Sequence, residues 1–311
     1  MCLNRKCLNR KYFLKSITDL CSSGSDKKNI EFRLTEVKAS MRFWWRALNY
    51  YDDAQKLWKD ERKIFGDGDS IKSPIVFRLL NEDKESNGCY GKHIVGWDYK
   101  NNIGRSIKCI SPGKEISFEM SLYKRKIPEK DFTDKSISFY DSLLKLSFIL
   151  GGIGKRSRRG CGAFYISDKY DCDHKITSIN IYNNIIRFMK NIGIDNYYNF
   201  SNNGSLIISR KKVDCNLEYP YIEQVMISSR VISENDFYVN KIKRAIDECK
   251  KDKINYKVSD GRLACPVYVT CYGDDRDRII PIIVKLHNTS KISGQNYDDS
   301  KYYNKFKEMI L

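Results

Sequence analysis

Nothing in this 311-residue chain is apolar for long enough to cross a bilayer. Its longest apolar stretch, Ile279-Ile280-Pro281-Ile282-Ile283-Val284, falls far short of the roughly 18 to 20 residues a spanning helix needs, so no membrane partner is expected. The basic N-terminus, Met1-Cys2-Leu3-Asn4-Arg5-Lys6, is followed by no apolar core and does not read as a secretory signal. Eleven cysteines include no C-x-x-C pair; the nearest spacings are Cys2/Cys7 and Cys265/Cys271. An odd count without ligand spacing argues against both a disulfide framework and a zinc site, so the thiols are expected reduced and the chain cytoplasmic. Histidine is scarce, with His93, His174 and His287 the only three. G-x-S-x-G, H-E-x-x-H and dinucleotide fingerprints are all missing, and no cofactor is expected.

What is abundant is positive charge. Lys and Arg number 56 against 39 Asp and Glu, leaving +17. A soluble protein with that excess is expected to meet a polyanion, nucleic acid first. Hydrophobic residues at 41% and a length near twice a typical domain of ~150 residues point to about two globular domains.

The chain opens on a tandem repeat, Cys2-Leu-Asn-Arg-Lys6 and Cys7-Leu-Asn-Arg-Lys11, too short to be a structural unit; residues 1–10 are expected to be a frayed leader. Patterning then predicts a strand over 12–20, helices over 36–50 and 52–64, and strands at 73–80, 106–110 and 115–123. A helix over 136–150 stops at Gly151-Gly152, and a strand follows at 161–167. Beyond a polar bridge near 167–176, helices are expected at 177–191 and 239–252, and strands at 204–210, 221–228, 264–272 and 279–286. Strands and helices do not alternate strictly. That favours two α+β halves, 11–168 and 169–311, over a doubly wound sheet.

Two constellations carry chemistry. In Gly151-Gly-Ile-Gly-Lys-Arg-Ser-Arg-Arg-Gly-Cys-Gly162, the cations Lys155, Arg156, Arg158 and Arg159 are framed by Gly151, Gly152, Gly154, Gly160 and Gly162. Glycines let backbone approach a ligand and expose amides, while the cations neutralise phosphate. The run lacks the spacing of a nucleotide phosphate loop and follows a helix, whose C-terminus repels anions. An extended polyphosphate backbone held by side chains is the better fit. In Lys38-Ala-Ser-Met-Arg-Phe-Trp-Trp-Arg-Ala-Leu48, Lys38, Arg42 and Arg46 fall at i, i+4 and i+8, one cationic stripe on a helix. Like charges so placed cost roughly 0.2–0.5 kcal/mol per pair, so a polyanion or carboxylates should neutralise them. Trp44 and Trp45 lie on other faces, core by default, with stacking of one on a base as the alternative. His93, beside Lys92, is the one histidine placed to act as a general acid or base. Asp171-Cys-Asp-His174 and Gly273-Asp-Asp-Arg-Asp-Arg278 superficially suggest metal sites, but the second reads as a turn and neither continues as a calcium loop. No metal is expected.

The stretch Phe32–Leu48 with its Phe-Trp-Trp-Arg core, then Glu61-x-x-Ile64-Phe65-Gly66 with Ser70 beyond, then the Gly151–Gly162 loop, resembles the RAMP proteins of CRISPR systems. The details of the first and third motifs are similar to the family formed by the first subunits of Cmr (type III-B) effector complexes, as is Arg262-Leu-Ala-Cys-Pro-Val267. Ala39 departs from the glycine that follows the lysine in that family. The resemblance implies two ferredoxin-like (RRM-like) domains, antiparallel sheets with helices on one face. It implies a non-catalytic subunit that holds the 3′ part of the guide RNA (crRNA), helps engage the complementary target RNA, and sits among other Cmr subunits. Lys38, Arg42, Arg46 and the loop cations would be its RNA contacts. Some relatives with this fold instead cut guide precursors without metal, which here would rest on His93.

Overall fold

The computed structural model describes residues 7–24, 29–82, 89–98, 103–123, 134–167, 176–212, 217, 219–252, 266–287 and 299–311. Its first half runs β1 (Cys7–Ser16), α1 (Leu34–Leu48), α2 (Ala54–Phe65), β2 (Ile75–Glu82), the hairpin β3 (Cys89–Asp98) and β4 (Ile103–Cys109), β5 (Glu115–Tyr123), α3 (Asp134–Leu150) and β6 (Phe164–Ser167). Four strands form an antiparallel sheet in the order β2-β5-β1-β6. Setting the β3–β4 hairpin aside, the order is β-α-β-β-α-β with the first and third strands central, a ferredoxin-like arrangement. Strand β1 shows how one face is chosen. Tyr12, Leu14 and Ser16 are buried, while Lys11 before them and Phe13 between the first two face solvent, the period of two a half-covered sheet demands.

The expected leader is corrected here. Residues 7–10, the start of the second repeat copy, belong to β1, where Cys7 to Arg10 pair with Tyr123 to Met120 of β5. Strand pairing overrides the polar look of Asn9-Arg10-Lys11, because only alternate side chains must be apolar.

The second half contributes α4 (Ser178–Asn191), β7 (Tyr198–Ser201), β8 (Leu206–Arg210) and β9 (Ile222–Ile227). A π-helical segment (Asp236–Lys243) then runs into α5 (Arg244–Lys251), followed by β10 (Val267–Asp275), β11 (Arg278–Leu286) and α6 (Asp299–Ile310). The antiparallel sheet order is β10-β11-β9-β8-β7. Without the edge strand β7, this is the ferredoxin-like strand order with the first strand supplied last by the chain, as β11. Both faces of β10 and β11 are covered, which explains the unbroken apolar run at 279–284. Ile280, Ile282 and Val284 join one core; Ile279 and Ile283 join another beside α5 and α6.

Helix α3 holds the halves together. It packs on α1 and β6 of the first half, and on α4, β10 and β11 of the second. Tyr140, Leu143, Leu144, Leu146, Phe148, Ile149 and Leu150 are all buried, so the helix is enclosed on nearly every side. The polar bridge at 168–175 lies outside the described residues.

Candidate nucleic-acid interface

The basic loop leaves α3 at Gly151, where the indole of Trp44 sits so close that a Cβ would lie 2.7 Å from it. The loop then folds back on itself. The Ile153 amide donates to the Gly162 carbonyl at 3.0 Å, and a Cβ at Gly162 would fall 1.9 Å from the Ile153 oxygen. Gly152 is pressed in the same way against the Cys161 carbonyl, and Gly154 against that of Cys21. The Lys155 amide donates to the Cys21 carbonyl at 2.8 Å and the Gly162 amide to Asp19 at 2.9 Å. The Gly160 carbonyl accepts from Thr18 Oγ1 (2.7 Å) and Tyr238 Oη (2.9 Å). These glycines serve close packing within the loop and against the second half.

The four cations divide into two pairs. Lys155 and Arg156 stand exposed at the apex. Arg158 and Arg159 are half-buried, the first 4.9 Å from the Tyr268 ring, the second 5.3 Å from Tyr302 and 4.9 Å from Phe306. The Val269 amide donates to the Arg158 carbonyl at 3.2 Å, so this arm of the loop is stitched to β10. Cation–ring contacts of this kind contribute ~0.5–2 kcal/mol each.

Arg156 alone among described non-glycine residues has a positive φ, 63°. A side chain there costs roughly 1–2 kcal/mol. The Arg156 carbonyl accepts from the Arg159 amide at 2.8 Å, which fixes the turn and holds the side chain outward. Arg156→Gly is expected to raise stability by about 0.5–1 kcal/mol, seen as a small rise in melting temperature. The same variant should weaken RNA binding, the opposite direction. A fall in both quantities would mean the guanidinium is structural.

On α1, Arg42 Nε and Arg46 Nη1 donate to the same oxygen of Glu61 on α2, at 2.7 and 2.6 Å. Glu61 is buried, and Arg42 also reaches the Gly66 carbonyl at 3.3 Å. Of the two neutralising partners expected for the stripe, a carboxylate takes these two arginines. Lys38, one turn earlier, is half-buried. The two motifs meet at the start of α1: burial raises the Glu36 carboxyl, while Ser22, Arg33 and Lys155 of the loop oppose that shift.

Trp44 and Trp45 are 1% and 4% exposed, which corrects the base-stacking alternative. Trp44 meets Tyr268 of β10 edge-on at 5.1 Å, and Trp45 packs near Tyr51. Both belong to the core cluster that α1 shares with α3. Among the described side chains, the tryptophan left in solvent is Trp58 of α2, 52% exposed, with the Arg62 guanidinium 4.3 Å over its ring. Arg62 is held in turn by Asp67 and Ser70. The amide of Ile71 and the hydroxyl of Ser70, with Arg62, keep the Asp67 carboxyl well below the usual carboxylate range.

His93 falls on β3 with its side chain outside the described residues, and His174 lies outside them altogether. His287 is buried, stacked on Tyr221 at 4.6 Å, with Nδ1 3.3 Å from Glu223. Asp274 pairs with Arg278, and Asp275 accepts from the Asp277 amide in the β10–β11 turn. Among the described residues, no group of three His, Cys, Asp or Glu is arranged to hold a metal, and no helix is long and apolar enough to cross a membrane.

Residues 13–165 match the sequence profile of the RAMP superfamily. The match takes in the first half of the chain, from β1 through the basic loop to β6. Over 173 residues it is 28% identical to the CRISPR system Cmr subunit Cmr1-2 of Pyrococcus furiosus, covering 49% of this chain and 92% of that one. Its fold is similar to that of Pyrococcus furiosus Cmr1 in the apo form, with a TM-score of 0.55 at 15% identity over 97% of both chains. A chain of the type III-B Cmr-beta complex, solved with cognate target RNA and AMPPnP in the presence of single-stranded DNA, aligns with a TM-score of 0.57 at 11% identity over 99% of this chain and 100% of that chain.

Proposed function

We propose that this protein is an RNA-binding subunit of a type III-B CRISPR (Cmr) effector complex. In this reading it is non-catalytic, holds the 3′ part of the guide RNA, helps admit complementary target RNA, and packs against other Cmr subunits. The observation that carries the reading is the loop after α3: two exposed cations, Lys155 and Arg156, on a backbone anchored to both halves. An anchored backbone with exposed cationic tips suits sugar–phosphate, contacts that position RNA without reading its sequence. Base pairing between guide and target supplies the specificity. The +17 charge favours the same ligand, since neutralising phosphates releases counterions.

The test is one assay of binding and integrity. The purified protein is titrated with end-labelled guide-like RNA and with matched DNA, and bound RNA is run on a denaturing gel. Intact RNA, bound in a salt-dependent way, is expected. RNA that is cut, and stays whole with His93→Ala, would overturn the reading in favour of a metal-independent endoribonuclease that processes guide precursors.

A further inference from the structure

Five described cysteines, Cys21, Cys109, Cys161, Cys249 and Cys271, lie buried in one core, the one beneath the basic loop. Two of them face each other across paired backbone. Leu20 and Ile110 exchange both hydrogen bonds, each amide donating to the other's carbonyl at 2.9 Å. In an antiparallel ladder, the positions one step beyond such a pair face each other without hydrogen bonds, with Cα atoms about 4.5 Å apart. Cys21 and Cys109 are those positions. Disulfides bridge Cα separations of roughly 4.4–6.8 Å, the range in which such facing positions fall.

We propose that Cys21 and Cys109 are an oxidisable dithiol, a modification site that closes into a disulfide under mild peroxide. The bond would join β4 to the segment on which the basic loop is hung, because the Cys21 carbonyl accepts the Lys155 amide.

The surroundings favour this pair over its neighbours. The Cys109 thiol hydrogen-bonds to the Cys21 sulfur, and Arg156 and Lys155 add positive charge; together these hold the Cys21 thiol below its ordinary value against burial and Asp19. Burial instead pushes the Cys161 thiol up to about 12 and that of Cys271 well above its ordinary value. Thiolate character governs reactivity, so Cys21 is the attacking sulfur. A cleft of about 510 Å³, lined by Cys21, Ser23, Ile30, Ile107 and Lys155, leads to it and admits a small oxidant.

The chemistry balances with hydrogen peroxide as oxidant. The Cys21 thiolate attacks one peroxide oxygen; an S–O bond forms, the O–O bond breaks, and the departing hydroxide takes a proton to become water. The Cys109 sulfur then attacks the Cys21 sulfenic acid. An S–S bond forms, the S–O bond breaks, and the second water leaves with the Cys109 proton. Two thiols are oxidised to one disulfide as one peroxide is reduced to two waters.

The test uses the full chain and is independent of RNA binding. Protein is treated with stoichiometric peroxide, alkylated, digested and mapped by mass spectrometry. A cross-linked peptide pair joining Cys21 to Cys109, two hydrogens lighter than the reduced pair and reopened by dithiothreitol, is expected. In Cys109→Ala, Cys21 should halt at a sulfenic acid that dimedone traps. Cys21 and Cys109 both remaining alkylatable while other thiols oxidise, or Cys21 cross-linked to Cys161 instead, would overturn the proposal. The wild-type map decides the matter even where Cys109→Ala fails to fold.

Discussion

Replacing Lys155 and Arg156 together with alanine is expected to weaken binding of single-stranded RNA by roughly ten- to a hundredfold, from two lost charge-assisted contacts of about 1 kcal/mol or more each. The plot of log affinity against log salt should flatten by about 1.4, since each phosphate contact on a single strand contributes roughly 0.7. Melting temperature should barely move, because both side chains stand in solvent. The other two loop cations serve as the contrast. Arg158 and Arg159 lie over Tyr268, Tyr302 and Phe306, so their alanine variants should lose stability as well as binding. Filter binding across a salt series, with a thermal melt of each variant, separates the two pairs. An unchanged slope in the Lys155/Arg156 double variant would remove the apex from the interface.

The second large effect is on stability. Arg210 of β8 is buried, and its guanidinium reaches the end of α1. Nη2 lies 3.4, 3.2 and 2.9 Å from the carbonyls of Ala47, Leu48 and Asn49 and 3.1 Å from Tyr198 Oη, while Nε donates to Ile222 at 3.0 Å. The rings of Tyr50, Tyr198 and Tyr221 surround it at 5.7, 5.1 and 4.8 Å. A helix C-terminus carries partial negative charge, and aromatic faces add to it, so this cation is accommodated by dipoles and rings. Arg210→Met fills much of the volume but takes the guanidinium donors from the Ala47, Asn49 and Ile222 carbonyls, while that of Leu48 keeps Tyr198 Oη at 2.9 Å. Each orphaned group costs about 1–3 kcal/mol, so a loss of about 3–5 kcal/mol is expected, read as a fall in the urea midpoint. Because β8 and α1 belong to different halves, unfolding should also become less cooperative. A midpoint shift under about 1 kcal/mol would mean water replaces the guanidinium.

Periodicity located the elements whose faces are set locally. The helix ending at Leu150 and the strands at 115–123 and 279–286 stand where apolar spacing puts them. Elements with weak spacing were missed: β3, the four-residue β7, and α6. In α6 the signal was present, since Tyr302, Phe306 and Ile310 recur every four residues and are buried, but Lys and Asn around them mask it. The site divides along the same line. That Lys38, Arg42 and Arg46 share a helix face is a local fact, legible in spacing. That Glu61 takes two of them depends on how α2 folds back, which spacing within α1 cannot carry. Exposure of the tryptophans is likewise tertiary. Trp44 is buried against Tyr268 of β10 and Trp45 near Tyr51, whereas α2 buries only the narrow stripe Leu57, Glu61 and Phe65 and leaves Trp58 outside. The loop glycines were read for ligand approach; Gly152 and Gly162 abut backbone of the loop itself, and Gly151, Gly154 and Gly160 abut Trp44, Cys21 and Phe237, which are distant in sequence.

Helix α3, enclosed by both sheets, has a consequence for how such a chain can be divided or recombined. A gene cut near residue 168 would give one product lacking a floor and another lacking a roof, since the same helix is both. Swapping halves between relatives would require that helix and the surface of β10 and β11 beneath it to change together. The two halves are in this sense a single unit of inheritance, whatever their separate ancestry.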